Sequence, residues 1–283
     1  MIEVIDRVPT HPGRVRLIPV QGQNDVYDLV RADEPVEEGT PINKALFESI
    51  RTDLSILSQN VANIINAHAS LAEIGSLPAG AEFGLYENGI LVPYIKISGD
   101  YHGTGRSAVL RKHIYKMDYL TNDIQRTRYA NSNTDSWLNN EFLQLLESRV
   151  QEVIEPVSVP CTVGNDSLSP EIIDRKVFIV SLSECGVTNT NFYMHEGDPL
   201  PYFNSNERRR AQFNGKLEGW WTRTPNVAYN GYMAAFNATN GYDMVVPWQQ
   251  QRGIRPSFTL PYNFEVSMGA PDTGNTMATA EVV

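Results

Sequence analysis

The chain has 283 residues, 41% of them hydrophobic, and a formal net charge of -10, which are ordinary values for a soluble protein with a core. The negative charge argues against a nucleic-acid partner, because duplex binding requires a basic face that displaces counterions from phosphates. No apolar run approaches the roughly 18 residues of a membrane span, and the first residues lack the pattern of a signal peptide. We therefore expect no nucleic-acid binding, no membrane insertion, and synthesis in a cytoplasm.

The first forty residues predict a small β unit. Residues 14–18 alternate between polar and apolar side chains for most of their length, as a half-buried strand does. Residues 22–25 supply a turn, and residues 26–30 read as a second strand.

A helix with a heptad pattern follows over residues 42–74. Thr40 can cap it, and Pro41 suits its first turn. Steps of four and three between apolar residues predict a coiled-coil seam, and the choice of Leu and Ile favours more than two strands. We predict a parallel trimer, with an amphipathic helix packed on its own domain as the alternative. The predicted seam consists of Phe47, Ile50, Leu54, Leu57, Val61, Ile64, His68 and Leu71.

Residues 78–266 predict one α+β domain with much irregular chain. Residues 91–98 and 176–181 read as strands, and residues 133–136 offer several caps for a helix. The last residues, 267–283, form a small polar tail. The apolar residues that recur at helical spacing after the caps are Trp137, Leu138, Phe142, Leu145, Leu146 and Val150.

A segment rich in Tyr and Asn, residues 226–251, is the candidate ligand-binding face. Tyr and Trp give rigid amphipathic contact area, and Asn gives adaptable hydrogen bonds. The alternative is a solvated loop rich in turn formers. The residues predicted to bind the ligand are Asn226, Tyr229, Asn230, Tyr232, Asn237, Asn240, Tyr242, Asp243, Trp248 and Gln249.

Sequence motifs of catalytic and metal sites are not found. The chain lacks HExxH and GxSxG, and residues 103–107 resemble a phosphate loop but have no lysine. Its five histidines have no metal-ligand spacing, so we expect no metal and no cofactor. Cys161 and Cys185 form no CxxC unit, and two buried thiols are favoured over a disulfide.

Residues 11–15, 27–35 and 38–44 resemble the N-terminal attachment segment of tail fibre and baseplate proteins in phages of Gram-positive hosts. The run from Gly39 to Ala45 matches the "GTP-(hydrophobic)-NKA" pattern that leads into a helix in those proteins. The resemblance implies that residues 1–41 attach the chain to a phage tail or baseplate.

A second resemblance covers about residues 80–261. Its marks are the run 136–139 with Phe142, the run 177–181 with Glu184, and the runs 220–225 and 253–256. This is similar to uncharacterised domains of phage tail and gut bacterial surface proteins, and to ligand-binding domains that phage retroelements diversify. The resemblance implies a C-type-lectin-like fold, although the tryptophan expected within residues 91–97 is absent.

Within these motifs we predict structural roles. Trp137, Trp220 and Trp221 are expected to anchor the core, and Arg223 belongs to the tandem-tryptophan motif. Arg255 is expected to bond to backbone carbonyls or to a carboxylate inside the domain. We expect the backbone at residue 253 to require glycine.

Together these observations predict a homotrimeric tail protein of a phage or phage-like particle, and not an enzyme. It would attach to the tail through its N-terminus and bind a bacterial surface protein or glycan through the lectin-like face. The alternatives are a tail-associated glycan depolymerase, whose two carboxylates a sequence cannot show, a purely structural tail subunit, and a bacterial adhesin. The expected location is the virion tail, after synthesis in the bacterial cytoplasm.

Overall fold

The computed structural model describes residues 8–9, 15–31, 35–37, 44–69, 71–121, 128–164, 167–187 and 192–268. The chain divides into two compact units, Met1–Asn66 and Ala67–Val283. The attachment motif at residues 39–45 lies outside the described residues except for its last two positions, and the polar tail lies outside them from residue 269.

The first unit contains the predicted hairpin. Strands β2 and β3 pair antiparallel with Leu17 opposite Leu29, which confirms both strand predictions. Gly22 and Asp25 have positive φ angles of 87° and 59° in the connecting turn. A second antiparallel pair joins β1 and β4. The strands are β1 (Val8–Pro9), β2 (Val15–Pro19), β3 (Tyr27–Arg31) and β4 (Pro35–Glu37).

Helix α1 spans Lys44–Ala69. Apolar side chains of the predicted seam are exposed along it, namely Phe47, Ile50, Leu54, Leu57 and Val61. The side chains of Ile64 and His68 lie outside the described part of the chain. Leu71, the last predicted seam residue, is not on the helix at all.

The second unit is built from strands. Its two main sheets have the orders β12-β19-β8-β7-β6-β20-β5 and β17-β16-β15-β18-β9. Hairpins β10–β11 and β13–β14 stand beside them. The strands are β5 (Leu71–Glu73), β6 (Glu82–Glu87), β7 (Ile90–Ser98), β8 (Arg106–Arg111), β9 (Lys116–Asp118), β10 (Val157–Gly164), β11 (Ser167–Arg175), β12 (Val177–Phe178), β13 (Ala211–Phe213), β14 (Lys216–Glu218), β15 (Trp220–Pro225), β16 (Tyr232–Phe236), β17 (Asp243–Pro247), β18 (Arg252–Ile254), β19 (Ser257–Pro261) and β20 (Glu265–Ser267).

The predicted fold class is wrong. We expected an α+β protein with a trimeric coiled-coil helix and a C-type-lectin-like domain, whereas strands take 39% and helices 19% of the residues that the structure describes, so the fold is β-rich. Many of its strands are short and pair with distant segments. Strand β19, for example, pairs with β8, which lies about 150 residues earlier. Such pairings leave no local periodicity in a sequence, and the α+β prediction missed them for this reason.

Another long-range strand pairing, that of β5 with β20, ends the helix earlier than predicted. Leu71 begins β5, which pairs antiparallel with β20 at the edge of the seven-stranded sheet. The predicted helix over residues 42–74 therefore stops at Ala69, because tertiary pairing overrides the helical pattern.

Other local predictions are partly corrected. The strand predicted at residues 91–98 is confirmed as β7, but only Val177–Phe178 of residues 176–181 is a strand. Ser132, and not a residue within 133–136, caps the predicted helix by accepting a hydrogen bond from the Asp135 backbone N–H. That helix is also divided into α2 (Asn133–Trp137), a π-helical turn (Leu138–Phe142), α3 (Leu143–Leu145) and α4 (Ser148–Val153).

One apolar core fills the described part of the second unit and includes Cys185, and Cys161 is also buried. Cys161 and Cys185 are free thiols, which confirms the favoured interpretation. Burial raises the pKa of the Cys161 thiol to about 12 and that of Cys185 well above its ordinary value. Within the described ranges, no helix has the length and apolar character that a membrane crossing demands.

Candidate functional site

The candidate ligand-binding segment forms one hairpin and the loops at its two ends. Strands β16 and β17 pair from Tyr232 opposite Pro247 to Phe236 opposite Asp243. Their inner neighbour β15 carries the tandem tryptophans, and the three strands form one side of the five-stranded sheet. Because each strand of the hairpin has five residues, its two ends lie about 14 Å apart. The ten predicted residues are therefore distributed over both ends of the hairpin.

The end of the hairpin near Tyr232 contains a cleft of about 210 Å³. Its lining combines an aromatic ring pair with two side-chain amides. Tyr232 is 37% exposed, and Trp248 is half-buried across from it. The lining residues are Asn230, Gly231, Tyr232, Pro247, Trp248 and Gln249, four of which belong to the predicted set.

Backbone hydrogen bonds fix the shape of this cleft. The carbonyl of Gly231 accepts from the backbone N–H of Trp248 at 3.0 Å, which joins the two walls. Gly231 has a φ of 86°, and a Cβ there would lie 3.6 Å from the Trp248 ring. Asn226 is buried, and its side-chain oxygen accepts from the backbone N–H groups of Ala228 and Tyr229. Asn226 therefore shapes the loop.

Exposed aromatic rings continue outward from the cleft. Tyr229 meets Tyr232 edge-on at 6.0 Å between ring centroids, and it stacks on Phe192 at 6.4 Å. Phe192 was not predicted. A sequence signal was present, because Phe192 directly follows a run of Thr and Asn with the composition of the candidate face. Because Phe192 lies more than thirty residues before the candidate face in the sequence, its contact with Tyr229 was not predicted.

The far end of the hairpin differs in character. The side-chain oxygen of Asn237 accepts from the backbone N–H groups of Thr239 and Asn240, and that of Asn240 accepts from Tyr242. These amides therefore hold their own turn. Asp243 starts β17, and Tyr242 is the one predicted residue at this end with a largely exposed ring, at 56%.

The core motif residues lie beneath these loops. Trp220 and Trp221 are fully buried, and Trp137 is half-buried against Tyr115 and Phe142. The indole N–H of Trp220 donates to the Arg209 carbonyl, and that of Trp221 donates to the Asp118 carbonyl at 3.0 Å. Both buried indoles therefore have the polar partner that burial requires. These two hydrogen bonds attach β15 to the segments that contain Arg209 and Asp118.

Arg223 is the centre of a fully buried polar cluster. Its Nη1 and Nη2 donate to the two carboxylate oxygens of Glu184 at 2.6 and 2.8 Å. The remaining donors reach the carbonyls of Pro160, Ile179 and Glu196 at 2.7, 2.9 and 3.1 Å. All five N–H donors of this guanidinium thus have acceptors, which is the arrangement that makes a buried charge tolerable.

Glu184 is held ionised within this cluster. Burial raises the pKa of its carboxyl, but Arg223 and hydrogen bonds from His102 and the backbone of Ser181 outweigh burial and lower the pKa to about 2. Tyr101 also donates its hydroxyl to Glu184 at 2.8 Å. Sequence reasoning noted Glu184 only within a motif, and missed His102 and Tyr101, which precede it by about eighty residues.

A second buried carboxyl, Glu196, behaves in the opposite way. Burial raises its pKa, although Arg223 and hydrogen bonds from Thr224 and Thr162 act against that rise. Neither Glu184 nor Glu196 has an exposed side chain. Both carboxyls are bound within the core, where they orient the loops between β12 and β15. In the part of the chain that the structure describes, no group of three or more His, Cys, Asp or Glu residues could hold a metal ion.

A family model described as "Domain of unknown function (DUF6273)" matches residues 104–262. The chain belongs to this family. No curated protein matches the chain. No solved structure matches it either.

The DUF6273 match encloses the main features of the site. The cleft, the far turn of the hairpin, Arg223 and Arg255 all fall within residues 104–262, whereas His102 precedes that span by two positions. The structure also corrects one role within the domain. A Cβ on Gly253 would lie 2.5 Å from the Ile114 side chain, so close packing, and not a special backbone angle, requires glycine there.

Proposed function

We propose that this protein belongs to the tail of a phage or phage-like particle, and that its DUF6273 domain binds a bacterial surface receptor. The observation that supports this proposal is the cleft at Tyr232 and Trp248, where aromatic rings and amides line a concavity on a framework of hydrogen-bonded loops. Tail attachment rests on the resemblance of the N-terminal segment to phage attachment segments.

The chemistry of the cleft suits a surface glycan. Sugar rings present apolar C–H faces that pack on aromatic rings, and hydroxyl groups that hydrogen-bond to amides. Trp248 and Tyr232 supply the rings, and Asn230 and Gln249 supply the amides. A volume of about 210 Å³ accommodates roughly one sugar residue of a longer polymer. The outward rings of Tyr229 and Phe192 offer further contact area for the residues on either side.

Binding, and not glycan hydrolysis, is the function that the site supports. Glycosidases need two carboxyl groups that flank the scissile bond and reach the substrate. The buried carboxyls Glu184 and Glu196 are instead consumed by hydrogen bonds inside the core. The cleft itself has no Asp or Glu in its lining.

Self-association is a further part of the proposal. Helix α1 exposes a row of apolar side chains, including Phe47, Leu54 and Leu57, at 63%, 60% and 59%. Exposed apolar rows of this kind mark interaction surfaces. Several copies on one particle would convert weak individual contacts into strong attachment when their sites engage together. Replacing Leu54 and Leu57 by Asp should lower the mass measured by sedimentation, and an unchanged mass would contradict this part.

The test measures sedimentation of the labelled full-length chain with a panel of bacterial strains. Trp248→Ala should lower the apparent affinity for bound strains about tenfold, because a ring stacked on ligand contributes of the order of 1–2 kcal/mol. Tyr242→Ala is the matched control, since it removes an exposed ring at the other end of the same hairpin and should leave binding unchanged. Both variants should melt like the wild type.

Three outcomes would count against the proposal. Unchanged binding by Trp248→Ala would remove the cleft from recognition. An equal loss of binding for Tyr242→Ala would indicate that recognition uses a face wider than the cleft. Absence of binding to every strain of a panel that contains a verified host would favour a structural tail subunit. Periodate treatment of cells should abolish binding to a glycan, whereas protease treatment should abolish binding to a protein receptor.

A further inference from the structure

Arg255 is buried like Arg111 and Arg223, but it differs from both in having no carboxylate partner among the described residues. It is 1% exposed and lies between β18 and β19. Its Nε donates to the Arg111 carbonyl at 3.2 Å, and its Nη2 donates to the Lys112 carbonyl at 2.9 Å. The guanidinium lies over the Trp220 ring at 4.7 Å. These contacts hold the guanidinium plane in place.

The third nitrogen, Nη1, is buried and has no hydrogen-bond partner among the described residues. Burial lowers the pKa of Arg255 to about 10, and the nearby Tyr202 and Cys185 only partly oppose that effect. The charge of Arg111 lowers this pKa further, and no ion pair with a carboxylate joins Arg255 among the described residues. The charge of Arg255 is therefore not neutralised within the described chain, which is a costly arrangement for a buried cation.

Arg255 lines a cavity of about 300 Å³, separate from the aromatic cleft. Its lining also holds the basic residues Lys112 and Arg210, and the acidic residues Glu82 and Glu207. Lys112 forms an ion pair with Glu82 at 2.8 Å. The pKa of Glu207 is lowered by hydrogen bonds from its own backbone N–H and from Ser205, and the charge of Arg210 adds a smaller effect in the same direction. His113 also lines the cavity. With histidine counted as neutral, three basic side chains line it with two carboxylates, which leaves one positive charge in excess.

We propose that this cavity binds a carboxylate-bearing ligand of monosaccharide size, such as a sugar acid, whose carboxylate pairs with Arg255. A planar guanidinium presents N–H donors in a fork that matches a carboxylate. The surplus of one positive charge fits a monoanion. A phosphate monoester, with a charge of about -1.5 to -2 at neutral pH, would exceed it. Tyr202 supplies an aromatic wall for the body of the ligand.

This site is independent of the proposed cleft, because the two share no lining residue. The full-length chain can therefore be titrated with D-glucuronate and, as the matched neutral sugar, D-glucose, with binding followed by ligand-observed NMR. In the Trp248→Ala variant, which disables the aromatic cleft, glucuronate should bind and glucose should not at equal concentration. Arg255→Gln should weaken glucuronate binding at least tenfold, whereas Arg128→Gln, which removes an arginine outside the lining of this cavity, should leave it unchanged.

Two exposed residues keep the test decisive if Arg255→Gln fails to fold. Arg210→Gln removes a positive charge from the cavity and should weaken glucuronate binding severalfold. Glu82→Gln removes a negative charge and should strengthen it by a similar factor. Equal binding of glucose and glucuronate, or the same glucuronate affinity in both of these variants, would overturn the proposal. Tighter binding of glucose 6-phosphate than of glucuronate would overturn the assignment of a carboxylate.

Discussion

Arg223 and Arg255 are both buried in the second unit, and their surroundings satisfy the two charges in different ways. Around Arg223 every guanidinium N–H has an acceptor, and Glu184 supplies a full counter-charge through two hydrogen bonds. Around Arg255 the described chain supplies two carbonyls and an aromatic ring, and no carboxylate. Both side chains are almost completely buried.

The difference separates a structural charge from one that suits a ligand. A closed cluster such as that of Arg223 positions the chain segments that it joins and has no capacity left for an external group. Arg255 retains a buried donor beside a cavity, so an anion that enters would complete its coordination. Burial alone does not distinguish the two arginines, whereas a full account of donors and acceptors does.

The largest expected effect is that of Arg223→Gln on stability. The substitution leaves the Glu184 carboxylate buried without its counter-charge, which costs about 3–5 kcal/mol. The free energy of unfolding, measured in urea through the fluorescence of the buried tryptophans, should fall by that amount. A loss below about 1 kcal/mol would show that the cluster is not closed as described.

The next largest effect is the pH dependence of the free energy of unfolding that Glu184 causes. It should be on the order of 3 kcal/mol, because folding lowers the pKa of this carboxyl from its ordinary value to about 2. Because the folded-state pKa of Glu184 is depressed, its contribution to stability is present above about pH 5 and is lost as the pH falls toward 2. The stability difference between wild type and Glu184→Gln should therefore shrink over that range. A difference that is constant with pH would contradict the low pKa.

Glu196→Gln provides a control with the opposite sign. Burial raises the pKa of Glu196 in the folded state, so the contribution of that residue is present at low pH and is lost as the pH rises through the raised pKa. The stability difference between wild type and Glu196→Gln should change in the reverse direction to that of Glu184→Gln. The same trend for both carboxyls would show that their environments are not distinguished as proposed.

Arg255→Gln should cost less than Arg223→Gln. It leaves no buried carboxylate behind, and its main cost is the loss of donors to the carbonyls of Arg111 and Lys112, about 1–3 kcal/mol. The same urea measurement provides the comparison. An equal loss of unfolding free energy for the two variants would contradict the difference between an arginine paired with a carboxylate and one without such a partner.

The smallest effect is expected at Arg128, which pairs with Glu171 at 2.7 Å with both side chains about one quarter exposed. Arg128→Gln should change the free energy of unfolding by about 1 kcal/mol or less, because the pair is partly exposed and solvent weakens it. This variant gives the cost of removing a partly exposed arginine, with which Arg223 and Arg255 are compared. A loss as large as that of Arg223→Gln would show that burial does not control these costs.

Parts of the fold and the site were predictable because their signals are local. The alternation around Leu17 and Leu29 predicted a hairpin, and the continuous apolar run after Ile90 predicted β7. The enrichment of Tyr, Asn and Trp after Asn226 led to the segment that contains the cleft. The predicted helix boundary at residue 74 and the α+β class were wrong, because both depend on strand pairings between distant segments.

The sequence by itself determined which residue types are available: aromatic and amide side chains in one segment, a motif arginine in each of two runs, and an apolar row on one helix. Only the tertiary structure decided which of them meet. The length of a hairpin separates Tyr242 from Trp248, and distant chain segments bring His102 and Tyr101 to Glu184. Only the fold gives Arg223 a carboxylate and leaves Arg255 without one. Charge compensation depends on distances of a few ångströms, and residues far apart in a sequence set those distances when the sheets assemble.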